Sequence, residues 1–479
     1  MEAQRNIWLF AKTNILPTIG ILALAAVLAV GVAYGGLLVA LAYIAIPCAI
    51  FGVSLIVAKP KYGLLTVVVF GFLANGLTRY VPAPLGLSID LLLVLTLLGV
   101  LFSQRSFDTK QLNNSLTILT VLWFVYTLFE IVNPEARSLQ AWFYAVRGVS
   151  LYMLFIIPLT FLLMRSEKDL DMLLMLWLGL SLLGTLWGIR QFAFGPDSAE
   201  QAWLNAGGAV THILFGKLRV FSFYSDAGQF GASQAHASVV AGILAMGERR
   251  LSRRLIFIFI ALLSFYGMLI SGTRGAFFVI VGGGACYLIA IRNMRLIILG
   301  LVIGGLAFGF LKYTTIGQSN YQINRLRTAL DPNDASLLVR IENQRKLADF
   351  LATRPFGGGI GSGGSWGQRF SPNSFLAQTA LDSWYVKIWA ESGIVGLVLH
   401  VCSLLFIMGI GFLNIYNLQP PDLKYKMIAI FSGLGGIILA SYGNQLLGQM
   451  PTGVLVYMTM VYLYLPKQFL DDRQNKLYS

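Results

Sequence analysis

Long apolar runs alternate with short polar segments along almost the whole chain. A helix needs about 20 predominantly apolar residues to cross the hydrocarbon core of a bilayer, with roughly 17 to 25 tolerated. About fourteen runs reach or approach that length; they begin near Ile15, Gly36, Tyr62, Leu87, Ser115, Gly148, Leu170, Gln229, Leu255, Gly275, Leu296, Ile394, Met427 and Gly453. The pattern predicts an all-α polytopic membrane protein of about 12–14 transmembrane helices. It divides the chain into an N-terminal bundle at 1–311, a large external loop at 312–383 and C-terminal helices at 384–479. The polar N-terminal stretch has no small-residue cleavage site, so the first apolar run is expected to stay as an anchor.

Charge decides the sidedness. With the N-terminus inside, Arg5 and Lys12, Lys59 and Lys61, Arg105 and Lys110, Arg165 and Lys168, Arg249 to Arg254, Arg292 and Arg295, Lys424 and Lys426, and Lys467 to Lys476 all fall on the cytoplasmic side. Both termini are then cytoplasmic, and the segments near 133–147, 190–228 and 312–383 are external. Within the last, 336–353 has apolar residues at helical spacing interrupted by Arg340, Glu342, Arg345 and Lys346, the pattern of an amphipathic helix at the membrane surface. The glycine-rich stretch 356–367 breaks helix and permits close backbone approach to a ligand. No internal repeat is evident, which argues against a transporter built from inverted halves.

Composition adds exclusions. The 479 residues are 57% hydrophobic and only 12% charged, well beyond what a soluble core requires. The net charge of +14 comes from short basic clusters between apolar runs and not from one basic face, so no nucleic-acid partner is expected. Cys48, Cys286 and Cys402 lie in apolar runs without a CxxC, and read as packing residues. No His/Asp/Glu grouping has metal-ligand spacing, and P-loop, dinucleotide and Gly-x-Ser-x-Gly signatures are missing, so neither metal nor cofactor is expected.

The candidate chemistry sits in external arginines: Arg147, Arg190, Arg219, Arg274 and Arg340. Guanidinium stays charged and grips phosphate oxygens with a planar fork, whereas lysine is a point charge. The alternative for each is an anchor that snorkels to lipid headgroups, the role expected of Arg79. Arg274 stands apart because the Ser271–Gly275 connection is short enough to hold its side chain at two helix mouths. Gln229 and His236, seven residues apart, are placed to line the site from one helix face, with hydrogen-bonded packing the equal alternative for His236. His212 reads as solvated, His400 as packing, and Glu391 with Lys387 as an i,i+4 pair. Asp382 suits either a base that takes a proton from a hydroxyl or a cap for the helix starting near Trp384. Most external aromatics read as an interfacial belt, with a few in the large loop able to stack on sugars.

Four segments carry a resemblance: Ser-Gly-Thr-Arg-Gly-Ala at 271–276, Arg-Pro-Phe-Gly-Gly-Gly-Ile-Gly at 354–361, Asp-Ser-Trp-Tyr at 382–385 and Glu-Ser-Gly-Ile-Val-Gly-Leu at 391–397. In this order, with a long external loop between them, they resemble the O-antigen ligase and Wzy-type O-antigen polymerase superfamily. The resemblance implies a GT-C-like, metal-independent glycosyltransferase of the bacterial inner membrane, with its active site facing the periplasm. Its partners are then an undecaprenyl-pyrophosphate-linked glycan as donor, membrane lipids, and an acceptor that is another glycan or lipid A core. By the same resemblance Arg274 is a pyrophosphate ligand and Arg340 a second one; beside Arg274, Asp382 is expected as the other catalytic group because its carboxylate can take the hydroxyl proton, and Tyr385 is expected to contact glycan. The ligase pattern has a His-Asn pair nine residues before the Glu of the last motif, where this chain has Asp382 and Ser383. A polymerase is therefore expected first and a ligase second. A flippase for lipid-linked oligosaccharides is the rival of another class, and it would place its charges deep between helices.

Overall fold

The computed structural model describes residues 16–81, 83–103, 107–214 and 216–478; the expectations for Arg5, Lys12 and Arg105 lie outside them. The chain is helical almost throughout, the exception among the described residues being a two-residue hairpin that pairs Ile213–Leu214 with Lys217–Leu218. The first helices are α1 (Leu16–Ala58, broken at Gly36), α2 (Lys61–Leu77), α3 (Leu87–Leu101) and α4 (Ser115–Phe129). They are followed by α5 (Leu139–Leu163), α6 (Glu167–Phe194), α7 (Ala227–Gly247), α8 (Leu251–Ile270), α9 (Arg274–Ile291) and α10 (Met294–Tyr313). Two polar helices, α11 (Tyr321–Thr328) and α12 (Ala335–Leu351), occupy the large loop. The chain closes with α13 (Trp384–Tyr416), α14 (Pro421–Ala440), α15 (Thr452–Tyr462) and α16 (Pro466–Tyr478). Among the described residues nine helices are long and apolar enough to cross a membrane, and α2, α3, α15 and the second part of α1 are shorter apolar helices.

Local chemistry sets the helix starts. Asn114, Ser138, Ser166 and Asp226 cap α4, α5, α6 and α7 by accepting N–H groups of the first turn, and Ser166 with Asp169 forms a capping box. Small residues then decide which helices form the centre. In α7, Gly231, Ala232, Ser233, Ala235 and Ala237 are buried, which lets α8, α9 and α14 approach it closely. Gly436 of α14 lies directly on the Val279 carbonyl of α9, where a methyl group would not fit. The rim has the opposite character: Ile21 and Leu22 of α1 and Leu301 and Leu306 of α10 are more than 60% exposed, a surface that suits lipid and not water.

The two ends of the bundle differ in charge. Lys61 pairs with Asp169, Arg165 with Asp108, Lys426 with Glu167 and Asp171, and Arg473 with Glu167 and Asp422. These groups come from the segments that charge alternation assigned to one side, and the fold gathers them at one end. Arg147, Arg190, Arg219, Arg274 and Arg340 lie at the other.

Candidate functional site

The site is built around the turn between α8 and α9. Gly272 adopts φ +59°, and the Thr273 hydroxyl donates to the Ala227 carbonyl, which pins the turn to the start of α7. Arg274 opens α9 and donates from Nη1 to Asp334 Oδ2 at 2.6 Å and to the Thr328 carbonyl at 3.4 Å. Arg219 arrives from the hairpin and donates from Nη2 to Thr273 Oγ1 at 2.8 Å and from Nη1 to the Thr211 carbonyl at 3.0 Å. A third guanidinium, that of Arg325 on α11, donates to the Gly272 carbonyl at 3.4 Å.

The three arginines feel one another. Burial depresses the Arg219 pKa first, and the charges of Arg325 and Arg274 add to the shift; for Arg325 burial leads and Arg274 follows. The carboxylates facing them are Asp226 and Asp334, so the cluster has more positive than negative charge. Three further donors there find no hydrogen-bond partner among the described residues: Arg219 Nε, Tyr321 OH and Asn444 Nδ2. Tyr321 packs on Gly272 and Asn444 on Gly275, so all three border the same turn. Buried donors are normally paired, and an excess of them beside cations marks a place that accepts oxygen-rich anions.

Asp382 lies close by through α12. Asp334 stands at the start of that helix and accepts the Leu337 N–H at 3.1 Å, and six residues on Arg340 donates from Nε to Asp382 at 3.3 Å. At a rise of 1.5 Å per residue the two ion pairs are about 9 Å apart along the helix. Asp382 is not the cap of α13: Ser383 accepts the Val386 N–H, and the Asp382 carboxylate is left half exposed.

The segment 441–451 between α14 and α15 joins these parts. Asn444 meets the arginine turn, Gln445 donates to the Leu381 carbonyl next to Asp382, and the Ser441 carbonyl accepts the Trp384 N–H at 3.0 Å. Gln445 and Gln449 also line a polar cavity of about 330 Å³ with Tyr144, Arg147, Trp366, Trp384 and Lys387. Tyr144 and Trp366 stack there with centroids 4.7 Å apart.

Several residues singled out from the sequence take other roles. Arg147 is paired with Asp90 at 2.7 Å, and Arg190 with Glu200 and Asp197 at 2.8 and 3.2 Å, so neither reaches the arginine cluster. Gln229 is buried and ties α7 to the Gln445 carbonyl and the Thr452 hydroxyl. His236 does not line the site with it; it is 1% exposed deep in the bundle, with its ring edge-on to Trp177. Tyr385 donates to the Ile438 carbonyl and so joins α13 to α14. Arg79 is no headgroup anchor. It is sandwiched near Trp203 and Phe221, it donates to the Ser222 and Tyr224 carbonyls, and burial lowers its pKa to about 10. His212 is not solvated either: it is 4% exposed, Nδ1 meets the Gly208 carbonyl, and Nε2 accepts the Ala227 N–H. His400 accepts the Trp384 indole N–H, and Glu391 accepts the Gly363 N–H without a salt bridge to Lys387.

The glycine-rich motif approaches protein backbone and not an open site. Gly358 N–H donates to the Ala390 carbonyl, and Gly357 lies against the break of α13 at Gly393, with no room for a Cβ on either. Two motifs far apart in sequence are thus the two halves of one backbone contact, which fixes the loop carrying Asp382 relative to α13.

Residues 259–401 match the family described as O-antigen ligase. Over 226 residues the chain is 26% identical to an O-antigen polymerase of Salmonella muenchen, an alignment covering 46% of this chain and 54% of that protein. The 259–401 segment is thus similar to an O-antigen ligase family domain. Both likenesses are to polymerases and ligases of the O-antigen ligase/Wzy superfamily. The chain spans about half the length of the curated relative it matches. The matched segment of this family domain contains Arg274, Tyr321, Arg325, Asp334, Arg340 and Asp382, whereas Arg219 and the 441–451 segment join the site from outside it.

The sequence pattern had not singled out Arg325, Tyr321 or Asn444. Asn444, Gln445 and Gln449 do carry a signal: they are polar side chains between two apolar runs, in a connection too short to be a solvated loop.

Proposed function

We propose that this protein is a membrane glycosyltransferase that extends glycan chains from an undecaprenyl-pyrophosphate-linked donor at the outer face of the bacterial inner membrane. The observation that carries the reading is the convergence of Arg219, Arg274 and Arg325 with the unpaired donors of Arg219, Tyr321 and Asn444 on one turn at a helix mouth. A pyrophosphate there has its lipid tail in the bilayer and its sugar toward α12. When an acceptor hydroxyl attacks the anomeric carbon, the bond to the phosphate oxygen breaks and its electron pair stays on the leaving pyrophosphate. Guanidiniums already in place stabilise that growing charge without reorganisation. Asp382, held by Arg340, takes the proton lost by the hydroxyl, a contribution of roughly 10²–10⁴-fold for an ordinary general base. No metal or cofactor enters this scheme.

Two observations favour polymerisation over ligation: the carboxylate of Asp382 in place of the ligase histidine, and the likeness to an O-antigen polymerase. Purified protein given only the lipid-pyrophosphate-linked repeat unit is expected to build a ladder of longer lipid-linked chains. A ligase leaves that donor unchanged until lipid A core or another acceptor is added, and a flippase forms no glycosidic bond with either. Transfer that begins only with the second acceptor replaces the polymerase reading with the ligase one.

A further inference from the structure

A second cavity lies at the opposite end of the bundle. It has a volume of about 750 Å³, and its walls come from α6, the end of α7, the turn after it, α8 and α14. Helices α6 and α8 meet at Gly267, where a Cβ would stand 3.1 Å from Thr185. Toward the other end they enclose a wedge whose apolar wall includes Met172, Met175, Ile256 and Phe257. Met175 is 64% and Ile256 54% exposed, so the wedge opens on the lipid-facing surface.

At its mouth stand Arg249, Arg250 and Arg253. All three are exposed, and none forms an ion pair with a carboxylate among the described residues. The neighbouring acids are engaged elsewhere: Asp171 with Lys426, and Asp422 with Arg473. Glu248 accepts the Arg250 backbone N–H, so it offsets at most one of three charges. Nearby Arg254 donates to the Glu248 carbonyl.

We propose that this wedge is a binding site for an anionic phospholipid, with acyl chains between α6 and α8 and the phosphate on Arg249, Arg250 and Arg253. The occupant must present an apolar body to Met175 and Ile256 and negative charge to the arginines at the same time. A free anion offers only the second and a zwitterionic lipid only the first without net charge. Each basic side chain near a membrane surface strengthens anionic-lipid binding by about fivefold, so three acting fully give on the order of 100-fold. The site is independent of the glycan-transfer reading, because it shares no residue with the arginine turn.

The test uses the purified full-length protein in neutral detergent, with bound lipid followed by native mass spectrometry. Phosphatidylglycerol is expected to be retained at least 10-fold more tightly than phosphatidylcholine. Replacing Arg249, Arg250 and Arg253 together by Gln is expected to remove most of that preference. Met175→Trp fills the wedge and leaves the arginines, and is expected to weaken both lipids; it decides alone if the triple variant does not fold. Equal retention of the two lipids by the wild-type protein overturns the proposal. So does full competition by inorganic phosphate at the concentration of the lipid, or unchanged retention in Met175→Trp.

Discussion

Asp334→Asn is expected to improve donor binding. Asp334 Oδ2 occupies Arg274 Nη1 at 2.6 Å, and the two side chains are 19% and 18% exposed. An incoming phosphate oxygen on that guanidinium must displace the carboxylate. At an effective dielectric of about 20, the attraction between charge centres some 4 Å apart is about 4 kcal/mol. Most of it is recovered when the released carboxylate rehydrates, which leaves a net cost near 1 kcal/mol. Asparagine removes this competition and keeps the helix start, because the Leu337 N–H at 3.1 Å from Asp334 Oδ1 still finds an amide oxygen. The KM for the lipid-pyrophosphate donor should therefore fall about 3- to 10-fold, with unchanged yield of folded protein. Arg274→Lys should act in the opposite direction, with a loss of about 10- to 100-fold in kcat/KM, since the charge remains but the fork is lost. The assay is initial rate against donor concentration in detergent or proteoliposomes. If Asp334→Asn raises KM as Arg274→Lys does, the ion pair is a structural clasp and Arg274 does not receive the phosphate.

Asp382→Asn should cut transfer by at least about 100-fold while donor affinity stays within about twofold, since the amide keeps the shape and loses the base. The exposed pair with Arg340 contributes at most about 1 kcal/mol, so a large fall in Tm in that variant would point to structure instead. Combining Asp334→Asn with Asp382→Asn tests their connection through α12: a departure from additivity of more than about twofold in kcat/KM is expected, and strict additivity separates the two sites. A single cysteine at Ser365 should react with a membrane-impermeant thiol reagent in intact cells and one at Ser252 should not; the reverse pattern inverts the bundle. Burial holds the His212 pKa below its ordinary 6.5, against a partial upward effect of the Gly208 carbonyl and Asp226, with Arg219 and Arg79 lowering it further. The unfolded chain therefore takes up a proton that the folded one refuses, so stability is full above pH 6.5 and is lost as pH falls below it. The slope of Tm between pH 7 and 5 should shrink in His212→Asn.

The bilayer explains which parts of the molecule can be read directly in the sequence. It fixes the length of a span and penalises exposed backbone, so apolar runs and basic loop ends have few other interpretations. The runs expected from Gln229, Leu255 and Gly275 correspond to α7, α8 and α9, and the 336–353 segment to α12. Arg274 stood out because a five-residue connection leaves its side chain little freedom. The rest of the cluster depends on long-range approach. Arg325 follows the turn by about fifty residues and Asn444 by about 170, and nothing in their local patterns records that they meet Gly272 and Gly275. Conversely, Arg147 and Arg190 look like Arg274 in sequence, but Asp90 and Glu200 reach them from other segments. Asp382 and Ser383 show the limit at one-residue scale, since either can cap a helix and only the backbone course decides that Ser383 does so.

Helix α12 gives the two proposed halves of the reaction a mechanical relation. Asp334, immediately before its first residue, clasps the arginine that is to hold the leaving group, and Arg340, about a turn and a half later, clasps the carboxylate that is to receive the proton. A donor that takes Arg274 away from Asp334 releases one end of a rigid rod whose other attachment is to Asp382. The helix is buried only along one side, through Leu347 and Leu351 against Leu376, Leu381 and Ala390, so it has few other contacts to resist a small rotation. Binding of the pyrophosphate can then alter the position of Asp382 before any acceptor arrives. An enzyme that joins glycans at the surface of a membrane needs such an order of events, because a base fully engaged before the acceptor is seated activates water as readily as sugar.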